Sequence, residues 1–379
     1  MTQRDTPCLA DIMLTPRAGV AQLRIAILNH GSELTLDPRH RPRNFHPRME
    51  IVTQPRRRDS RTYPRMEIDA PTLPNPGQVI ATTQSWMGIA GPCGLGSAIM
   101  STALAPTRAL LHGASIPVLG LGTWPLADAE AAAAVRTAIE SGYRLIDTAE
   151  NYRNEVGVGQ GIRESGIDRS QVFIATKFNR EWHSVDGVRR AYLASLERLG
   201  VDYLDLLMVH WPNPDQGRFA DAVRGLDALL EEGAIRAIGV SNFKAWHLRQ
   251  VLEETGVTPD VNQIQVSPYS TRDDLRRFNA EHGIATESWS PIGGSKAARL
   301  RTDPVIAGIA EKYGRSPVQV VLRWHLQLGL IVIPKSANPH RIAENAAIFD
   351  FALADDDLAA ISALDRGDGH ITDSDRSGN

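Results

Sequence analysis

Eight short apolar runs, each followed by a stretch of helical periodicity, constrain this chain more than any other feature of its sequence. The runs are Val118–Thr123, Arg144–Ala149, Val172–Lys177, Leu204–His210, Ile235–Asn242, Val261–Ser267, Ala285–Pro291 and Leu330–Ser336. Few polar residues interrupt them, as expected of strands buried on both faces, and such strands occur in parallel sheets covered by helices. The intervening stretches carry helix signals. Val185, Val188, Tyr192, Leu196 and Leu199 make one apolar stripe stopped by Gly200, and Phe219, Val223, Leu226 and Leu230 repeat it before Gly233. Ser316-Pro317 opens a later helix as N-cap and first-turn proline, and Gly329 closes it.

Strands alternating with helices make either a closed barrel or a doubly wound open sheet. Residues 106–379 suit a barrel, which takes roughly 250 residues. Polar residues decide the matter. Asp147, Lys177, His210, Asn242, Gln263, Ser290 and Lys335 stand at the C-terminal ends of seven different runs; a barrel gathers all of these on one rim, whereas an open sheet collects its site at a single switch point. The dinucleotide fingerprint of the open sheet is also missing. Gly120-Leu121-Gly122 lacks the third glycine, and Gly157-Val158-Gly159-Gln160-Gly161 lies in a helical stretch with no strand before it. The expected fold is therefore a (β/α)8 barrel over 100–379. A hairpin over Ala109–Pro117, turning at His112-Gly113-Ala114, is placed to cap its floor.

Residues 1–99 differ in composition. They hold 12 arginines, no lysine and 8 acidic residues, whereas all five lysines of the chain fall later. They show no sustained apolar periodicity and contain one short repeat, Pro-Arg-Met-Glu-Ile at 47–51 and 64–68, too little for a repeat architecture. The segment reads as a low-order Arg- and Pro-rich extension. The whole chain carries a formal charge of −3, which gives no reason to expect nucleic acid as a partner. No run reaches the 18 apolar residues of a membrane span. Two cysteines, Cys8 and Cys93, supply neither a disulfide framework nor metal-ligand spacing, so no metal is expected and a reducing cytoplasm fits best.

The segment Gly142-Tyr143-Arg144-Leu145-Ile146-Asp147-Thr148-Ala149-Glu150-Asn151-Tyr152, followed by Asn154-Glu155, resembles the aldo-keto reductase signature. Thr176-Lys177, His210-Trp211-Pro212, Gly239-Val240-Ser241-Asn242-Phe243, Asn262-Gln263 and Ile333-Pro334-Lys335-Ser336 resemble later motifs of that family in the same order. The likeness covers roughly residues 109–368, and the short loops around it resemble the microbial branch that includes the 2,5-diketo-gluconate reductases.

The resemblance implies Tyr152 as proton donor, Lys177 and Asp147 as the pair that tunes it, and His210 as the residue that orients the carbonyl. The chemistry agrees. A tyrosine pKa near 10 makes tyrosinate at pH 7 cost roughly 4 kcal/mol, and an adjacent ammonium lowers that cost. The implied cofactor is NADPH. Ser241, Asn242 and Gln263 would bind its carboxamide, Trp289 would stack on the nicotinamide, and Ser290, Pro291 and Ile292 would follow the pyrophosphate. Lys335, Ser336 and Arg341 would meet the 2′-phosphate, and Glu344 and Asn345 the adenine. Trp124, Trp182 and Trp211, after the first, third and fourth runs, are expected to wall a pocket for a small aldehyde, ketone or keto-sugar. Arg180 and Lys296 are candidates to read substrate charge, and an exposed face explains either as well. A cytoplasmic monomer is expected. The alternative on the same barrel is a nicotinamide-binding regulatory subunit that senses redox state without turnover.

The composition break generates a first prediction. An upstream start codon read by mistake would give such a stretch ahead of Met100, the alternative being a tail with a tethering role. A segment that buries little apolar surface contributes little stability. A chain beginning at Met100 should therefore match the full chain in activity and melting temperature. A several-fold loss of either would show the extension to be needed, and native peptides from 1–99 in mass spectrometry would show it to be translated.

Overall fold

The computed structural model describes residues 13–17, 20–24, 104–294, 297–376 and 378. The chain divides into two units, Met1–Cys93 and Gly94–Asn379. In the first, Met13–Arg17 pairs antiparallel with Val20–Arg24, a local hairpin in a stretch without sequence periodicity. The rest of the expected extension, the repeat included, lies outside the described residues.

The second unit is the (β/α)8 barrel. Its strands are β1 (Gly120–Gly122), β2 (Leu145–Asp147), β3 (Phe173–Phe178), β4 (Leu204–Val209), β5 (Ile235–Ser241), β6 (Val261–Gln265), β7 (Ala285–Trp289) and β8 (Ile331–Ile333). All pairings are parallel and follow chain order. The ring closes where Val332 N donates to Val118 O at 3.0 Å and Gly122 N to Pro334 O at 3.1 Å. Every expected run coincides with one strand, although β3 continues one residue past its run to Phe178. Most are trimmed by one to three residues, because the ladder stops where the chain leaves for the rim and frees the polar residues that follow.

Alternation along the strands sorts side chains into two cores. Leu145, Phe173, Ala175, Leu206, Met208, Ala237, Val261, Ala285, Ile331 and Ile333 fill the barrel interior. Their outward neighbours, among them Ile146, Ile174, Leu207, Val209, Ile238 and Val240, pack against the helices. The anticipated hairpin forms from Thr107–Ala109 and Ser115–Pro117, turns at Gly113 with φ 92°, and adds Leu110 and Ile116 to the interior cluster. Asp260 ties it down. Its carboxylate accepts His112 N at 2.9 Å, Ile238 N at 2.8 Å and a hydrogen bond with His112 Nδ1 at 2.8 Å.

The helices follow their end signals. In α1 (Asp128–Glu140), α2 (Glu155–Glu164), α3 (Val185–Leu199) and α4 (Phe219–Glu231) the apolar faces turn inward. Ser184 caps α3 through Gly187 N at 3.0 Å, and Gly200 ends it in the left-handed region at φ 66°. Val188, Tyr192 and Leu199 of the expected stripe are buried, while Val185 on the first turn is exposed. Ser316 caps Pro317–Gln327 with a reciprocal bond to Gln319.

The glycines of α2 serve packing. A Cβ at Gly157 would come within 2.1 Å of Asp128 O, one at Gly159 within 1.8 Å of Leu199 O, and one at Gly161 within 2.5 Å of Ala132 O. The helix is thus pressed between α1 and α3, which fixes the turn that precedes it, and that turn carries Tyr152. No helix among the described residues is long and apolar enough to cross a membrane.

Candidate active site

The C-terminal rim of the barrel holds a cavity of about 850 Å³. Asp147 ends β2, and Lys177, on the neighbouring β3, points into the same interior. Lys177 Nζ donates to Asp147 Oδ1 at 2.8 Å, Asp147 Oδ2 at 2.9 Å and Thr148 O at 2.8 Å, and reaches Tyr152 Oη at 3.4 Å. Both charged groups are buried.

Tyr152 sits at the end of a single 3-10 turn, Glu150–Tyr152. Asn154 fastens the turn from behind. Its Nδ2 donates to Thr123 O at 3.1 Å and Leu126 O at 2.8 Å, and its Oδ1 accepts from Thr148 Oγ1 at 2.8 Å. Glu155 accepts from Thr176 Oγ1 at 2.7 Å and Arg198 Nε at 2.5 Å, tying α2 to β3 and α3. Asn154 and Glu155 belong to the motif string, but their holding role needed the structure. Both are buried polar residues whose bonding capacity is spent inside the fold.

Electrostatics follow from burial. Desolvation would pull the Lys177 ammonium down, but the Asp147 carboxylate and the Tyr152 phenol reverse this and hold it at about 12. Burial pushes the Asp147 carboxyl up against the pull of Lys177 and Gln263. For Tyr152, burial outweighs the Lys177 charge, and the phenol lies above its ordinary value. Lys177 therefore limits the rise rather than producing a net fall, and Tyr152 carries its proton at neutral pH. Burial and the Lys177 charge keep His210 well below its usual range and hence neutral. Its ring meets that of Tyr152 edge-on with centroids 5.7 Å apart, and its Nδ1 has no partner.

Across the cavity the residues matched to a carboxamide form one network. Ser241 Oγ donates to Gln263 O at 3.0 Å, Asn242 Nδ2 to Ser241 Oγ and His210 O at 3.1 Å each, and Trp289 Nε1 to Asn242 Oδ1 at 3.0 Å. Asn242 and Ser290 adopt positive φ, 65° and 49°, where the chain turns off β5 and β7. Ser290, Pro291, Ile292 and Lys335 continue the wall. Ser336, Arg341, Glu344 and Asn345 lie beyond it, on the loop after β8 and the helix Pro339–Ala346. Ser336 Oγ accepts Asn338 N at 3.1 Å, and Asn338 Oδ1 caps that helix through Arg341 N at 3.1 Å. Among the described residues, neither Lys335 nor Arg341 has a carboxylate within ion-pair distance.

Trp124 and Trp211 line the cavity as expected, and Trp124 packs 5.3 Å from the Tyr152 ring. Trp182 departs from the expectation. It is not on the cavity wall; its Nε1 donates to both Glu150 oxygens at 3.0 Å, bracing the tyrosine turn from outside. Of the two candidate cations, Arg180 is paired with Asp215 at 2.9 Å on an exposed face and Lys296 lies outside the described residues. Arg153 lines the cavity instead, exposed beside Tyr152 with φ 56°. Glu287 on β7 was also missed, although a carboxylate within a buried run is a visible signal.

The sequence matches the family described as the Aldo/keto reductase family over residues 118–366. It is 48% identical over 266 residues to 2,5-diketo-D-gluconic acid reductase B of Corynebacterium sp. (strain SHS752001), covering 69% of this chain and 94% of that protein. It is 45% identical over 259 residues to methylglyoxal reductase DkgA of Escherichia coli (strain K12), covering 68% and 93%. Among solved structures, a point mutant of Gox0644 in complex with NADPH is similar at 41% identity and TM-score 0.69, over 73% of this chain and 100% of that one. A Bombyx mori aldo-keto reductase in complex with NADP is similar at 36% identity and TM-score 0.67, over 72% and 97%.

The buried pair generates a prediction. Lys177→Met leaves the Asp147 carboxylate in the interior without its counter-ion, a change that costs about 3–5 kcal/mol. A stranded carboxyl has its folded-state pKa raised, so its stability is present below the unfolded value and lost as pH rises. The variant should melt some 6 °C or more below wild type at pH 8, at ~2–4 °C per kcal/mol, with a narrower gap at pH 5. Asp147→Asn in the same chain should recover part of it. A melting temperature equal to wild type at pH 8 would show that the pair contributes nothing to the fold.

Proposed function

The chain belongs to the aldo/keto reductase family, and we propose that it is an NADPH-dependent oxidoreductase reducing a small aldehyde, ketone or keto-sugar to the alcohol, with Tyr152 as the proton donor. The observation that carries this reading is the meeting of a protonated, desolvated phenol with Lys177 Nζ, 3.4 Å away, in a cavity whose far wall is the Ser241–Asn242–Gln263–Trp289 network.

The residues suit the cofactor. Neutral amides and a hydroxyl match a carboxamide, which offers two donors and one acceptor. The indole of Trp289 offers a flat face for a nicotinamide ring. Lys335 and Arg341, uncommitted to carboxylates among the described residues, are free to take a phosphate, with the Ser336 hydroxyl beside them. Bound NADPH supplies the hydride.

The chain's own groups supply the rest. Neutral His210 donates a hydrogen bond to the substrate carbonyl and sets it toward the phenol. As negative charge grows on that oxygen, Tyr152 Oη gives up its proton, and the Lys177 ammonium stabilises the phenolate left behind. Asp147 keeps the ammonium charged and in place. Trp124 and Trp211 exclude water around the carbonyl. Reprotonation of Tyr152 completes the cycle, and in the reverse direction the same group is the base.

Arg153 refines the substrate. A guanidinium on the wall next to the proton donor favours carbonyl compounds with an anionic substituent, in line with the acid substrate in the name of the Corynebacterium relative. The enzyme is read as a cytoplasmic monomer.

The direct test is loss of NADPH absorbance across aldehydes, ketones and keto-sugars, acidic members included. Turnover of at least one class is expected; NADPH binding without any turnover would support the regulatory alternative. A second test uses Arg341→Ala. A charge-assisted bond to phosphate contributes roughly 1.5–3 kcal/mol, so NADPH affinity should fall about ten- to a hundredfold while NADH affinity changes little. Equal weakening of both in calorimetry would mean that Arg341 does not read the 2′-phosphate.

A further inference from the structure

Beneath the catalytic groups lies a carboxyl that the mechanism does not use. Glu287 projects from the middle of β7 into the barrel and is wholly buried. Its Oε2 accepts from Gln263 Nε2 at 3.0 Å, and the second proton of the same amide goes to Asp147 Oδ2 at 2.8 Å. Glu287 Oε1 has no partner. Both protons of one amide nitrogen are thus spent on carboxyl oxygens from two other strands. Half a turn of the Gln263 amide would set its own oxygen against the Asp147 carboxylate, which can only accept, so its Oε1 is left to face the cavity.

We propose that Glu287 is a positioning residue for the cofactor: held neutral in the barrel, it acts with Asp147 to lock the Gln263 amide so that its oxygen accepts from the nicotinamide carboxamide. The proposal rests on the cofactor reading above. A neutral carboxyl with its proton on Oε1 still offers Oε2 as acceptor to Gln263. The surroundings favour that state. Asp147 from β2 already supplies the one negative charge that Lys177 from β3 balances, and Tyr152 faces them as a neutral phenol. The other strands add Met208, Ala237, Ile331 and Ile333 to the interior, none able to stabilise a second anion. Burial, and then the Asp147 charge, push Glu287 up to about 8.

The test compares wild type, Glu287→Met and Glu287→Gln, using NADPH and 2′,5′-ADP, which carries the 2′-phosphate and adenine but no nicotinamide. Affinities are read from quenching of tryptophan fluorescence or by calorimetry at pH 6.5. Glu287→Met removes the acceptor and frees the amide, so NADPH should bind about tenfold more weakly while 2′,5′-ADP binds as to wild type. Glu287→Gln, which copies the neutral carboxyl, should retain the wild-type affinity for NADPH. Its melting temperature should exceed that of wild type at pH 8.5, and the gap should shrink toward pH 5, because a carboxyl raised from its ordinary value loses stability as pH climbs. Equal weakening of both ligands by Glu287→Met would make the role merely structural and overturn the proposal. Should the Met variant fail to fold, a Gln variant that loses NADPH affinity, or a melting gap independent of pH, would overturn it as well. Wild type that binds 2′,5′-ADP but not NADPH would instead contradict the cofactor reading.

Discussion

Moving an ammonium and a carboxylate from water into a protein interior costs several kcal/mol per ion, and the Lys177–Asp147 pair offsets that cost only because neighbouring strands present the two groups in register. Asp147 stands opposite Ala175 in the β2–β3 ladder, and Lys177 lies two residues further along the same inward face. A slip of one residue in either strand would turn one partner into the helix layer. The pair therefore depends on the closed barrel, and the site depends on the pair, since Thr148 O, Tyr152 Oη and Gln263 Nε2 all take their positions from it.

The barrel interior is layered accordingly. Leu145, Phe173, Val261, Ala285 and Ile331 fill the N-terminal end, which the Thr107–Pro117 hairpin seals with Leu110 and Ile116. Toward the other rim the inward positions become Asp147, Lys177, Ser241, Gln263 and Glu287. Apolar packing below provides the rigidity, and polar groups above have almost every bond assigned. The exceptions are informative. Among the described residues His210 Nδ1 and Glu287 Oε1 lack partners; in the proposed function the first belongs to the ring that meets the substrate, and the second to the carboxyl proposed to be neutral. The tyrosine turn is held from three sides by Asn154, Glu155 and the Trp182–Glu150 contact, which fixes the phenol beside Lys177 as the proposed proton transfer requires.

Much of this was legible in the sequence. Strand-like runs gave all eight strands, although β6 with Asn262, Gln263 and Gln265 and β7 with Thr286, Glu287 and Ser288 are polar in majority, and the glycine and proline end signals gave the helices. Asp147, Lys177 and His210 were readable as unusual polar residues at strand ends, whereas Tyr152, on the turn Glu150–Tyr152, was reached only through the family resemblance. What could not be read depended on distances between segments far apart in the chain. The packing role of the α2 glycines appears only with Asp128, Ala132 and Leu199 against them. Trp182 follows β3 as a wall residue would, yet Glu150 draws it behind the turn. Arg180 and Arg153 are equally charged in the sequence, and only the position of Asp215 decides which is tied down. The net direction for Tyr152 also depended on depth of burial, which a linear motif does not contain.

In the proposed function, one phenolic proton held beside a buried ammonium is what the protein gives to its substrate. Replacing Tyr152 with Phe removes the hydroxyl that carries this proton, and with it the contact to Lys177 Nζ, while keeping the ring. NADPH affinity should stay within about twofold of wild type while the reduction rate falls by the 10²–10⁴-fold that general acid catalysis contributes. A Tyr152→Phe protein that keeps more than about a tenth of the wild-type rate would contradict it.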